Sequence, residues 1–132
     1  QAKAAIWGVG LGLDLTLRDV QKKQKDKGQP WEQAKAFDGS CPISGFVAIE
    51  EITNLTDIDF RLIVNGEIRQ QGNTGDMIFP ILELLVDITK QFTLLPGDIV
   101  MTGTPKGVAA LNSGDQLNVE LNDKFTVITQ VT

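Results

Sequence analysis

Residues 59–73, DFRLIVNGEIRQQGN, carry the clearest local instruction in the chain. Two strand-forming runs flank Asn65-Gly66, the dipeptide that supplies the positive φ angles of a type I′ turn, and the segment reads as a β-hairpin. Downstream, TGDMIFPILELLVDITKQF (74–92) repeats Ile78, Ile81, Leu82, Leu85 and Ile88 at helical spacing. Thr74 or Asp76 is the expected cap of this helix, and Pro80 is tolerable only near its first turn. PGDIVMTG (96–103) predicts a turn and then a strand, SGDQLNVEL (113–121) repeats that device, and KFTVITQV (124–131) pairs back across Asn122-Asp123.

Upstream of the hairpin, residues 4–15 read as an apolar strand with glycines at 8, 10 and 12. A helix follows, with Thr16 and Asp19 as a capping box, running to about Lys27 with Gly28 just past its end. PWEQAKAFD (30–38) predicts a short second helical turn with Pro30 at its first position. Strands outnumber helices and at least two connections are antiparallel. The expected fold is α+β, a mixed sheet or barrel-like roll with helices beside it.

A chain of 132 residues is enough for one ordinary domain, here residues 1–132, and too short for two. Hydrophobic residues at 42% and charged residues at 22% describe a globular chain with a core. Seventeen acidic and 12 basic side chains leave a net charge of −5, which argues against general nucleic-acid binding. The basic run KKQKDKG (22–28) is broken by Asp26 and reads as a solvated helix face. No apolar run reaches the length of a membrane span, and nothing resembles a signal peptide. The single cysteine, Cys41, excludes an internal disulfide and fits a reducing cytoplasm; it reads as a small buried residue. The chain opens on QAKAAIWGVG without an initiator methionine, so an N-terminal region is expected to precede it.

The absence of histidine decides most. It removes the Ser-His-Asp triad, the usual zinc sets and the commonest general base. A metal held by this chain sits in oxygen ligands, which suit magnesium, manganese or calcium. Asp14, at the end of IWGVGLGLDL, is either a cap or turn residue or a carboxylate projecting from a strand end into a pocket. Lys35 is either an exposed lysine or an ammonium in the low dielectric of Trp31 and Phe37, as in catalytic lysines. MTGTPKGV (101–108) is either an ordinary glycine-rich turn or an anion-binding nest carrying Thr102 and Thr104. It is not a Walker A loop, because its Gly, Lys and Thr stand in the wrong order.

Taken together, LDLTLRDVQ (13–21), AKAFDGSCP (34–42), VNGE with RQ (64–70), TGTPKGV (102–108) and the final SGD (113–115) resemble the fumarylacetoacetate hydrolase family. The resemblance runs in order from about Val9 to about Val131, and is strongest to the acylpyruvate hydrolase and oxaloacetate decarboxylase/tautomerase branch. It implies a mixed β-roll with peripheral helices, assembled as a homodimer. It implies Mg²⁺ or Mn²⁺ held by three carboxylates, of which Asp14 matches the last. Arg18 and Gln21 match positions beside the substrate, Lys35 the lysine beside the metal-bound oxo-acid, and Thr104 a threonine on the substrate carboxylate. The family's Glu-x-Glu ligands and its lid histidine and glutamate lie upstream of the Asp14 block and have no match here. Glu50-Glu51 are adjacent rather than alternate and follow Lys35, so they are no substitute. The chain thus resembles the C-terminal part of a metal-dependent enzyme that works on 2-oxo acids through an enolate. The reactions implied are acylpyruvate C–C hydrolysis and oxaloacetate decarboxylation or tautomerisation. The alternatives are a dienedioate isomerase, or a non-catalytic oxo-acid-binding or dimerisation module.

Overall fold

In the computed structural model, residues 3–132 are described; Gln1 and Ala2, the start of the expected 1–132 domain, lie outside the described residues. The chain forms two compact units. One runs up to Leu11 and resumes over Gly45–Thr132; the other is Gly12–Ser44.

The larger unit is built on the predicted hairpin. Strand β3 (Asp59–Val64) turns through Asn65 and Gly66 into β4 (Glu67–Asn73). The φ angles of 52° and 86° at these two residues are those of the type I′ turn, and at the second of them glycine alone escapes a Cβ penalty. Strands β5 (Gln116–Leu121) and β6 (Phe125–Gln130) pair as expected, but across a three-residue turn in which Lys124 joins Asn122 and Asp123 and donates its N–H to the Leu121 carbonyl. The sheet order is β4-β3-β5-β6. A two-stranded ladder, β1 (Gly8–Val9) with β2 (Val47–Ala48), completes the unit's strands. Every pairing among the described residues is antiparallel, so the mixed sheet is corrected to antiparallel sheets, and the four-stranded one is open at β4 and β6.

The unit's core gathers Ile52, Leu55, Ile58 and Leu121, with Phe60 and Phe125 from the sheet and Ile81 and Leu82 from helix α3 (Ile81–Ile88) packed against them. Helix α3 begins later than its periodicity predicts. Pro80 is its N-cap, and Ile78 precedes it at 89% exposure. A proline ring disfavours helical geometry in the residue before it, which sets that boundary. Thr74 does not cap α3: its hydroxyl accepts the Ile58 N–H instead. The strand expected within 96–103 is absent, because this stretch has no partner backbone in either sheet and carries only a turn closed by Asp98.

In the smaller unit, the expected strand 4–15 does not continue as such. Gly12 bridges Ile43, and the backbone N–H groups of Leu13 and Leu15 donate to Pro42 and Ser40. Helix α1 (Arg18–Asp26) ends in a Schellman motif: Gly28 and Gln29 donate their N–H groups to the carbonyls of Lys25 and Gln24. Helix α2 (Glu32–Lys35) is one turn with Trp31 as its N-cap, which moves Pro30 from the first helical position to the residue before the cap. Cys41 is a free thiol on the surface, not a buried packing residue, because the 40–43 segment is a surface rung of the ladder.

Candidate active site

The smaller unit answers the question posed by Asp14. The 12–17 segment lies antiparallel to 34–43, tied by Leu13 to Pro42, Leu15 to Ser40 and Leu17 to Ala34, at 2.9–3.0 Å. The backbones of Leu13 and Leu15 are spent on this ladder. Residues two apart in extended chain share a face, so the side chains of Asp14 and Thr16 reach the same neighbour. That neighbour is Lys35. Its Nζ donates to Asp14 Oδ2 at 2.7 Å and to Thr16 Oγ1 at 2.9 Å.

Thr16 is the residue that sequence reasoning missed. It was expected to cap α1, but the N-cap is Leu17 and makes no side-chain bond. The Thr16 hydroxyl instead accepts from Lys35 and donates to the Asp14 carbonyl at 3.3 Å. The signal available was its position two residues after Asp14. The setting of Lys35 is also corrected. Trp31 is 46% exposed, and what meets the ammonium is oxygen rather than an aromatic wall.

A lysine ammonium has three N–H donors, and two are engaged here, leaving one for a ligand oxygen. The lysine side chain keeps 33% of its surface in solvent and Asp14 43%, so the pair is reachable from outside. On α1, the Arg18 guanidinium donates through Nη1 to Gln21 Oε1 at 3.0 Å. They stand three residues apart on one helix face. Asp14 and Lys35 are therefore in contact, and Arg18 is in contact with Gln21. Thr104 is carried by the larger unit, exposed on a loop in which Gly107 has φ 102°.

Asp14 offers hard carboxylate oxygens, but Oδ2 is already taken by Lys35, and no group of three His, Cys, Asp or Glu gathers among the described residues. One carboxylate does not make the three-carboxylate site that the resemblance implies, so these residues alone do not fit a resident metal. Among the described residues, no helix is long and apolar enough to cross a membrane.

The family model for the fumarylacetoacetate (FAA) hydrolase C-terminal region matches residues 1–132, and the chain belongs to this family. Over 130 residues it is 54% identical to an oxaloacetate tautomerase of Escherichia coli (strain K12), covering 98% of this chain and 59% of that protein. It is 44% identical over 126 residues to the human mitochondrial oxaloacetate tautomerase, covering 96% of this chain and 57% of that protein. Among solved structures, a fumarylpyruvate hydrolase from Pseudomonas aeruginosa in complex with Mn²⁺ and pyruvate superposes with a TM-score of 0.94 at 34% identity. It is matched over 100% of this chain and 57% of its own. The chain thus spans under two-thirds of the length of each of these relatives.

Proposed function

We propose that the full-length protein is an enzyme that interconverts the keto and enol forms of oxaloacetate through an enolate. The observation that carries this reading is the Lys35 ammonium, fixed by Asp14 and Thr16 with one N–H left to donate. In the keto form a C3 hydrogen leaves as a proton, its bonding pair becomes the C2–C3 double bond, and the C2 carbonyl oxygen takes the negative charge. Protonation of that oxygen gives the enol, and the reverse sequence gives the ketone. A preorganised cation beside the C2 oxygen lowers the barrier in both directions, because it meets charge where charge develops. Asp14 and Thr16 hold the ammonium in place before substrate arrives, so little reorganisation accompanies the reaction.

Oxaloacetate carries two carboxylates. The planar fork of N–H groups of Arg18, oriented by Gln21, suits a carboxylate. By the family resemblance, the Thr104 hydroxyl is a contact of a substrate carboxylate in the full-length protein. In this reading the full-length protein is a cytoplasmic homodimer that uses Mg²⁺ or Mn²⁺, with Asp14 as one oxygen ligand. Such an ion would supply Lewis acidity toward a 2-oxo group.

The similarity to a fumarylpyruvate hydrolase favours a second substrate, an acylpyruvate, whose C–C cleavage leaves the same kind of enolate. The test is an absorbance assay of keto–enol exchange with oxaloacetate, run beside acylpyruvate cleavage. Exchange above the buffer rate, lost in Lys35→Met, supports the tautomerase. Cleavage without exchange replaces it with the hydrolase, and neither activity overturns both.

A further inference from the structure

Residues 92–115 form neither helix nor strand, yet this stretch carries Thr104. Something other than a sheet ladder must hold it. The register of β3 against β4 shows what does. Leu62 faces Gln70 and Ile63 faces Ile68, so Arg69 is an extra residue, a β-bulge in β4. At this bulge the loop rests on the strand. Gly107 comes so close that a Cβ there would stand 2.1 Å from the Arg69 carbonyl oxygen. Gln70, half-buried, donates through Nε2 to the Pro105 carbonyl at 3.0 Å. Pro105 also packs over Gly72, where an added Cβ would meet the proline Cβ at 3.1 Å. Three β4 residues therefore grip the two loop residues, Pro105 and Gly107, that follow Thr104.

We propose that Gln70 is a positioning residue: its bond to the Pro105 carbonyl fixes the exposed Thr104 hydroxyl at the height where it meets a substrate carboxylate. The inference rests on the reading of Thr104 given above. Pro105 transmits the constraint well, since its ring fixes φ and the peptide to Thr104 is rigid. The close approach of Gly107 sets where the loop lies, and the Gln70 amide sets which way the Thr104-Pro105 segment faces. Without the amide, the loop stays seated at Gly107 but Thr104 samples several orientations.

The experiment is a double-mutant cycle in the full-length protein, with steady-state kinetics on oxaloacetate and hydrogen exchange at the 101–108 amides. Gln70→Met keeps length and apolar bulk while removing the donor. The expected result is a KM raised about five- to tenfold, the size of one neutral hydrogen bond, with kcat within about twofold. Thr104→Val should raise KM at least as much. The double variant should match Thr104→Val alone, since Gln70 acts only through that hydroxyl. Faster exchange at 101–108 in Gln70→Met, without faster exchange in β3 or β5, is the accompanying sign. A raised KM in Thr104→Val with fully additive effects in the double variant overturns the role of Gln70 alone. A normal KM in Thr104→Val overturns the reading of Thr104 and this proposal with it. Gln70→Glu, which also lacks the donor, is the second variant. Should both Gln70 variants fail to fold, Gln70 belongs to the sheet's stability and the proposal fails.

Discussion

Lys35 Nζ and Asp14 Oδ2 stand 2.7 Å apart across 21 residues of sequence, joining a one-turn helix to the 12–17 segment. Both side chains keep a third or more of their surface in solvent, at 33% and 43%. A pair so exposed contributes about 1 kcal/mol or less to folding. Its value lies in aim. The carboxylate and the Thr16 hydroxyl fix an ammonium whose remaining N–H is free to meet a ligand.

Lys35→Met should therefore damage turnover far more than stability. The aliphatic stem is kept, so packing survives, while the cation proposed to face the developing enolate is lost. In the full-length protein kcat on oxaloacetate should fall ~10²–10³-fold, the usual cost of removing one preorganised electrostatic partner. The denaturation midpoint should shift by the equivalent of about 1 kcal/mol at most. Near-normal kcat on oxaloacetate and on every acylpyruvate tried would remove Lys35 from the mechanism.

Thr16→Val tests the second anchor. The swap preserves shape and removes the oxygen that accepts from Lys35 at 2.9 Å. One hydrogen bond to a charged group is lost, so kcat should fall about tenfold, less than in Lys35→Met. Thr16→Ser keeps the hydroxyl and should recover most of the rate. Equal losses in the valine and serine variants would show that packing, not the hydroxyl, matters at this position.

Much of this was legible in the sequence, and the failures have physical causes. The Asn65-Gly66 hairpin and the three-residue turn at 122–124 were readable because a short turn fixes its own backbone geometry. The end of α1 at Gly28 was readable for the same local reason. The strand expected at 96–103 failed because a strand needs a partner's backbone, and no local pattern reports whether one is present. The start of α3 was placed too early because apolar spacing at Ile78 outweighed the rule that a residue before proline stays extended. At the candidate site, the residue types of Asp14 and Lys35 suggested chemistry, but their contact depends on a ladder between 12–17 and 34–43 that periodicity does not encode. Thr16 was misread because a threonine three residues before an acid looks like a cap, while its real partner is 19 residues away. Cys41 was misread because cysteine is usually buried, a tendency that a surface ladder rung overrides.

The 132-residue chain should bind Mg²⁺ weakly by itself. Asp14 is one carboxylate, its Oδ2 is engaged by Lys35, and no further acidic cluster joins it among the described residues. Mg²⁺ sheds water reluctantly and is held by one or two carboxylates chiefly when substrate oxygens help. Calorimetric titration with Mg²⁺ should show no saturable heat in the micromolar range, and Lys35→Met should improve the affinity by freeing Oδ2. Micromolar binding by the unaltered chain would contradict this account of Asp14.

Asp115 links two turns of the larger unit through its carboxylate. Its Oδ2 accepts the Asn112 backbone N–H at 2.8 Å, and its Oδ1 accepts from Asn65 Nδ2, also at 2.8 Å. The Asn112 bond first, and the Asn65 bond second, hold its carboxyl below the ordinary value of 3.8. Asn65 also accepts the Gln116 N–H through its own side-chain oxygen, so this contact ties the β3–β4 turn to the start of β5. A carboxylate whose folded value is depressed contributes stability above the unfolded value and loses it as pH falls through the folded one. The contribution is therefore whole above pH 3.8 and disappears only below it. Asn65→Gly keeps the turn geometry and removes one of the two donors, so the Asp115 titration, followed by carboxyl carbon NMR, should move up toward the ordinary value without reaching it. The difference in denaturation midpoint between the unaltered protein and Asp115→Asn should be flat from neutral pH down to about pH 4 and narrow below that. A difference that narrows already above about pH 5 would mean that another group carries the acid sensitivity.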